Sequence, residues 1–243
     1  ADIAHIASLS ANNDSTIGEL ISEAVDKVGK NGSITIKEAK SVDTTLDLVE
    51  GFRFDSGYAA GAFVTDERRK VASYEDPVFL ITDSKLERVE QILPSLETAA
   101  REGRPFIIVA DEIEGQALAA LIMNTIRGSM KVAAIKAPRY GETRRNIMSD
   151  LSLATGAKYF RKSEGDDLSS PSLVDFGSAH SIEIGLGYTT IVGGHGTASK
   201  VDERIENLKE DIKQEESIDE CQRIQERITR LASGIAVINV GAH

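Results

Sequence analysis

The chain has 243 residues, which is enough for one large domain or two smaller ones with a substantial core. Its composition, 41% hydrophobic and 28% charged, is typical of a globular protein. The net charge of −11 argues against sequence-independent binding to nucleic acid and against docking on an anionic membrane, because both need clustered lysine and arginine. No apolar run approaches the roughly 20 residues that span a bilayer.

Cys221 is the only cysteine, so an intrachain disulfide is excluded and a cytoplasmic location is favoured. Two alternatives stay open: a location in an organellar matrix, and a viral protein that acts in a host cytoplasm. Cys221 lies in a charged stretch with no histidine near it in sequence. This context predicts a surface or half-buried thiol and not a nucleophile.

The first forty residues predict a helix and a hairpin. Apolar residues recur at helical spacing from Ile17 to Val28, after a run of capping residues. Asn31-Gly32 is a hairpin-turn signal, and the alternating run Ser33–Lys37 follows it. A second strand-like run covers Thr44–Val49.

The next stretch, VEGFRFDSGYAAGAFVTD, combines closely spaced glycines with four aromatic residues. Glycine at this density interrupts long elements, so we expect an extended, looping segment. Its aromatic side chains must either be buried or bind something. They are Phe52, Phe54, Tyr58 and Phe63.

From residue 78 onward, buried strands alternate with helices, and this alternation predicts an α/β sheet with crossover connections. The expected strands are Val78–Thr82, Pro105–Ala110, Met130–Ile135, Lys158–Phe160, Ser181–Ile184, Tyr188–Val192 and Ile235–Val240. The expected helices are Leu86–Arg101, Glu112–Arg127, Thr143–Thr155, Thr197–Gln214 and Ile218–Leu231.

The helix predicted over Glu112–Arg127 has an unusual middle. Apolar residues run without a break from Ala117 to Met123, so they point in nearly every direction, and Gly128 is the expected stop. Such a helix is either buried on all sides or buried on one side and apolar on the other. The sequence leaves both interpretations open.

The sequence offers few candidates for a catalytic or ligand-binding motif. The turn Gly193–Lys200, GGHGTASK, is similar to a phosphate cradle at a helix start but lacks the GxxxxGK[ST] spacing. A strand-to-helix turn is the alternative explanation. The four histidines are scattered, and neither a metal-ligand cluster nor a nucleophile–base constellation is recognisable. We therefore predict no catalytic residue and no metal site.

Five runs resemble group I chaperonins of the GroEL type and occur in the family order. They are DKVGKNGSITI, LDLVEGFRFDSGY, EIEGQALAALIMNTIRG, KVAAIKAP and RIQERITRLASGIAVINVGA. The resemblance covers the whole chain. It implies an apical polypeptide-binding domain over 50–234, with a sheet or β-sandwich core flanked by helices. It also implies a partial α+β intermediate domain, its first limb over 1–49 and its return limb starting at 235–243.

The same resemblance implies how such a protein works. The family's ATP-binding equatorial domain has no counterpart in this sequence, so we expect this chain to need no cofactor and to hydrolyse no ATP. The parent protein is expected to use ATP and magnesium and to form a ring homo-oligomer, whereas this chain alone is expected to be monomeric. The implied partners are unfolded or partly folded polypeptides and a co-chaperonin lid of the GroES type.

The family binds polypeptide in an apolar groove formed by two helices and an extended segment. Matched residue by residue, the implied groove falls on Tyr58, Phe63, Leu93, Leu96, Leu118, Ile122 and Met123, with a polar rim at Glu97, Asn124 and Arg127. Leu121 lies away from Leu118 and Ile122 on the helical wheel, so we expect it to face the core. Gly51 and Gly234 match the family's upper hinge. Ala62 stands where the family has a large aromatic residue, which predicts a flatter outer wall.

A rival class stays open from the sequence alone. An α/β enzyme or ligand-binding domain would use the Gly193–Lys200 turn, with polar groups converging there. A binding module for unfolded chains instead predicts an exposed apolar surface and no turnover.

Overall fold

The computed structural model describes residues 33–39 and 45–241, with side chains described over 51–233. The helix expected over 17–28 and the turn expected at Asn31-Gly32 lie outside these ranges. The chain divides into two compact units. One comprises residues 52–231, and the other comprises the segments that end at Gly51 and begin at Ala232. The domain limits inferred from the resemblance stay a prediction.

The described residues form a mixed α/β fold. The strands are β1 (Ser33–Ala39), β2 (Thr45–Phe54), β3 (Ala72–Glu75), β4 (Val78–Leu86), β5 (Phe106–Ile113), β6 (Val132–Lys136), β7 (Tyr159–Phe160), β8 (Gly177–Ile184), β9 (Thr189–Gly194) and β10 (Gly234–Gly241). The helices are α1 (Val89–Glu102), α2 (Gly115–Arg127), α3 (Gly141–Thr155), α4 (Ala198–Gln214) and α5 (Ile218–Ala232).

In the smaller unit, β10 lies between β1 and β2. It pairs parallel with β1, with Ser33 opposite Ile235, and antiparallel with β2, with Glu50 opposite Gly234. The hairpin expected around Asn31-Gly32 includes residues outside the described ranges, so it stays a prediction. β1 and β2 do not pair with each other, because β10 separates them.

The larger unit is built on four parallel strands in the order β7, β4, β5, β6. The first residues of β4, and the corresponding runs of β5 and β6, are almost completely inaccessible to solvent. Parallel strands covered on both faces have continuous apolar sequences, which explains why runs such as PFIIVA were recognisable as strands.

The direction of the crossovers decides which helices are neighbours. The chain moves one strand along the sheet from β4 to β5 and again from β5 to β6, so right-handed connections place α1 and α2 on the same face. The connection from β6 to β7 runs back past β4 and β5, which places α3 on the opposite face. Accordingly, α1 contacts α2, and α3 contacts α4.

Strands β3, β8 and β9 form the antiparallel part of this unit. β8 pairs with β3, with β9 and with the start of β4, where Val78 lies opposite Ser178. The glycine-rich stretch after β2 is irregular apart from a 3-10 turn at Gly61–Phe63, as expected from its glycines. The ring of Phe63 in this stretch belongs to the core, as do those of Phe52 and Phe54, which lie in the last residues of β2.

Two helices begin about one turn later than the sequence predicts. α1 begins at Val89 instead of Leu86, and α2 begins at Gly115 instead of Glu112. The reason is tertiary, because β4 and β5 continue to pair until Leu86 lies opposite Ile113. The stop at Gly128 is confirmed, since this residue caps α2 with φ of 70°.

Candidate functional site

Helix α2 carries apolar side chains on both its buried and its exposed faces. Ala117 and Leu121 are fully buried, which confirms the placement of Leu121 on the core side. Leu118 and Ile122 are half-buried and pack against the core, whereas Met123 is 41% exposed. The helix is therefore buried on one side and apolar on the other. This finding decides between the two interpretations of its sequence.

Ile126 was missed by the sequence analysis, although 67% of it is exposed. Residues four apart are neighbours on a helix surface, so Leu118, Ile122 and Ile126 form one row along α2. That spacing is the signal that would have identified Ile126. Leu118 and Ile122 pack partly against the core, whereas an amphipathic helix normally turns polar side chains to solvent at a position as exposed as Ile126.

Helix α1 has a clearer division between its faces. Ile92 and Ala99 point into the core, and Leu93 is 45% exposed. Leu96 was assigned to the groove, but only 7% of it is accessible, so its side chain offers little surface to a partner. Its position one turn from both Ile92 and Ala99 explains the difference, because these three residues share the inward face.

Because α1 contacts α2, their exposed apolar groups belong to neighbouring elements. We call the side chains of Leu93 on α1 and Leu118, Ile122, Met123 and Ile126 on α2 the apolar helix surface. The sequence reasoning anticipated four of these five residues.

The extended segment that contains Tyr58 and Phe63 exposes less apolar surface than the resemblance implied. Phe63 is fully buried, and Tyr74 Oη donates to its carbonyl oxygen at 3.4 Å, so its ring belongs to the core and not to a groove. Tyr58 is half-buried, and its phenol donates to the carbonyl of Lys70 at 3.1 Å. The Gly61–Phe63 turn contacts α2, and its exposed residue there is Ala62. This edge therefore presents small side chains.

The three residues of the expected polar rim differ in how freely their side chains reach solvent. Glu97 and Arg127 are exposed, whereas Asn124 uses its side-chain amide to donate to the carbonyl of Ala120 at 2.9 Å. Where the two helices start, Lys85 Nζ lies 3.3 Å from a carboxylate oxygen of Glu114. The hydrogen bond with Glu114 raises the pKa of Lys85. The surroundings of the apolar helix surface are thus mixed in charge.

The Gly193–Lys200 turn has a structural explanation. The backbone N–H groups of His195 and Gly196 donate to the carbonyls of Ser178 and Ala154, at 2.9 and 3.0 Å, so neither is free for a phosphate. A side chain on Gly194 or Gly196 would collide with the carbonyls at the end of α3. These glycines allow the turn to pack closely on α3.

One pair with catalytic character was not recognised from the sequence. Ser178 Oγ and His195 Nδ1 lie 2.8 Å apart, near the end of β9. Within residues 51–233, no carboxylate is found bonded to His195, so the third member of a hydrolytic triad is missing. Two neighbouring carboxylates, Asp166 and Asp167, are engaged in local hydrogen bonds. Asp166 accepts from the backbone N–H of Arg161, which lowers its pKa. Asp167 accepts from the hydroxyl and the backbone N–H of Ser169, which lower its pKa.

Other site classes find little support in the described part of the chain. No group of three or more histidine, cysteine or acidic side chains there is arranged to hold a metal ion. None of the helices described has both the length and the apolar character of a membrane span. Gly51 donates its N–H to Ser233, and Gly234 begins β10, but their assignment as a hinge stays a prediction.

A comparison with models of known protein families found none that matches this sequence. The functional assignment therefore rests on the residues themselves and on the resemblance described above.

Proposed function

We propose that the chain binds non-native polypeptides through the apolar helix surface. The observation that carries this proposal is the exposure of three large apolar side chains, Leu93, Met123 and Ile126, on two helices that contact each other. Unfolded chains share no sequence motif, so they are recognised by burial of apolar surface, at about 25 cal/mol per Å². Met123 adds a flexible, polarisable side chain that suits varied partners.

The resemblance to group I chaperonins supports the same proposal. In that family the apical domain holds unfolded polypeptide and then the mobile loop of the co-chaperonin on one apolar surface. We accordingly propose a chaperonin-like apical domain with a part of the intermediate domain, and the co-chaperonin as a second partner. ATP hydrolysis and ring assembly are proposed for the parent protein only.

A matched pair of isoleucines provides the test. Ile126 lies on the apolar helix surface, whereas Ile218 begins α5, outside it, and is 84% exposed. Binding of a fluorescently labelled, reduced and carboxymethylated protein would be measured by anisotropy for the unchanged chain, Ile126→Ser and Ile218→Ser. We expect Ile126→Ser to weaken binding by about five- to tenfold, as for loss of an interface anchor, and Ile218→Ser to leave it unchanged.

Two results would contradict the proposal. One is equal affinity of the unfolded probe for all three proteins, and the other is a larger loss for Ile218→Ser. A companion assay of phosphate release from ATP should show no turnover by the purified chain. Turnover abolished by a point change in the chain would favour the enzyme alternative.

A further inference from the structure

A cavity of about 400 Å³ lies between the start of α3 and the facing side of α5, away from the apolar helix surface. Four arginines line it: Arg139 just before α3, and Arg223, Arg227 and Arg230 on α5. Its volume falls in the range of cavities that hold small ligands. A concentration of four guanidinium groups in a chain of net charge −11 calls for a specific explanation.

Three of these guanidinium groups already have carboxylate partners. Arg139 Nη2 lies 2.9 Å from Asp55, and Arg223 Nη1 lies 2.8 Å from Glu220. Arg227 donates two hydrogen bonds to Asp150, which raise its pKa. These pairs hold the side chains in place along the wall of the cavity.

Arg230 is different. Its Nε donates to a neutral group, the carbonyl of Arg53, at 3.1 Å, and burial lowers its pKa. No carboxylate within residues 51–233 lies at ion-pair distance from it. The ring of Phe52, with its centroid 6.0 Å away, compensates the charge only weakly. Asp150, Glu226 and Asp55 favour its charge only from beyond ion-pair distance. A partly buried cation without a contacting anion is unfavourable, so a bound anion would stabilise it.

The start of α3 adds hydrogen-bond donors to the same cavity. Its first residues, Gly141, Glu142 and Thr143, line the cavity, and no side chain caps the helix. The first turn of a helix has unpaired N–H groups and a partial positive charge. Just before it, Arg139 has φ of 59°, a conformation disfavoured for a residue with a Cβ and often retained at functional sites.

We propose that this cavity binds a small phosphorylated molecule that also carries hydroxyl or amino groups. A phosphate dianion matches guanidinium forks together with helix N–H groups. Three glutamates, Glu142, Glu220 and Glu226, also line the cavity, so the remainder of the ligand must offer hydrogen-bond donors to carboxylates. Ile147 and Ile224 supply an apolar wall. This site lies beyond the proposed polypeptide-binding function and does not depend on it.

Glucose 6-phosphate is a suitable probe, with glucose, inorganic phosphate and gluconate as comparison ligands in calorimetric titrations of the 243-residue chain. We expect glucose 6-phosphate to bind, inorganic phosphate to bind more weakly, and glucose and gluconate not to bind measurably. Arg230→Gln should weaken binding about tenfold, since it removes a charge-assisted hydrogen bond. Arg139→Gly should weaken it several-fold while keeping the backbone, because glycine accepts a positive φ. Arg68→Gln, at an exposed arginine outside the cavity, is the control.

Three outcomes would overturn the proposal. They are no binding of glucose 6-phosphate at about 10 mM, equal binding by wild type and both cavity variants, and equal binding of gluconate. The last would assign the cavity to carboxylates instead. Arg139→Gly keeps the test decisive if Arg230→Gln fails to fold, as checked by circular dichroism.

Discussion

Arg227 on α5 donates two hydrogen bonds to Asp150 on α3, from Nε to Oδ2 at 2.8 Å and from Nη2 to Oδ1 at 2.9 Å. Asp150 is fully buried, and Arg204 on α4 donates to the same carboxylate at 3.1 Å. One carboxylate therefore joins three helices. Because both cations approach a single buried anion, the free energy of the cluster depends chiefly on that anion.

Removing this carboxylate should destabilise the larger unit strongly. Asp150→Ala would leave two guanidinium groups without their anion, and we expect the free energy of unfolding to fall by about 3–5 kcal/mol. Urea denaturation followed by circular dichroism measures the change. Glu206→Ala is the control, because the exposed Glu206–Lys209 pair should contribute less than about 1 kcal/mol. Similar losses for both variants would mean that the buried cluster has no special role.

Substitutions along α2 should separate stability from binding. Leu121→Ala removes a fully buried side chain and should cost about 2–5 kcal/mol of unfolding free energy, through lost transfer energy and a cavity. Met123→Ser changes an exposed side chain and should cost less than about 0.5 kcal/mol. Leu118→Ser and Ile122→Ser should fall between these values because both residues are half-buried.

The binding measurements on the same variants complete this test. Unfolded-polypeptide affinity should weaken for Met123→Ser and stay nearly unchanged for the folded fraction of Leu121→Ala. If Met123→Ser destabilised the chain as much as Leu121→Ala, the assignment of an exposed face to α2 would be wrong.

The glycine turn before α4 gives a prediction that distinguishes packing from ligand binding. In Gly196→Ala, the new Cβ would meet the carbonyls of Leu153 and Ala154, so we expect a loss of about 1–3 kcal/mol of unfolding free energy. Gly187→Ala, where nothing lies within 4 Å of the new atom, should have little effect. Thermal and urea unfolding of the two variants measure this difference. Unchanged stability of Gly196→Ala would revive a ligand-binding role for the turn.

Asp111 should make stability depend on pH. Burial raises its pKa from 3.8 to about 6, and its Oδ1 is buried without a hydrogen-bond partner. Since the folded chain binds the proton more tightly than the unfolded chain, this contribution to stability is complete below pH 3.8 and is lost as the pH rises through about 6. Asp111→Asn stays neutral, so it should raise the free energy of unfolding at pH 7.5 by about 1 kcal/mol, after allowance for solvent screening.

The measurement is the difference between Asp111→Asn and the unchanged chain in urea melts at pH 4 and pH 7.5. Other carboxyl groups titrate in both proteins and largely cancel in this difference. We expect the difference to be near zero at pH 4 and positive at pH 7.5. A variant that is less stable than the unchanged chain at pH 7.5 would contradict the buried, proton-binding role of Asp111.

The sequence by itself determined the local elements and the inward face of α2. Runs such as VFLIT and PFIIVA were recognisable as strands because both faces of a parallel sheet are covered and no alternation is needed. Gly128 marked the end of α2 because a glycine tolerates the left-handed conformation of a helix cap. Leu121 was placed in the core because helical spacing separates it from Leu118 and Ile122, which the resemblance assigned to the groove. These features depend on residues that are close together in the sequence, so sequence patterns can predict them.

Only the tertiary structure decided which distant segments meet. β10 separates β1 from β2, although β10 lies much further along the chain. Phe63 entered the core, and Ile126 was left outside it. The arginine-lined cavity joins Arg139 to Arg230, which are far apart in sequence. Such contacts depend on how whole helices and strands pack. A side chain is buried only if an element distant in sequence covers it, and a local sequence pattern does not record that element.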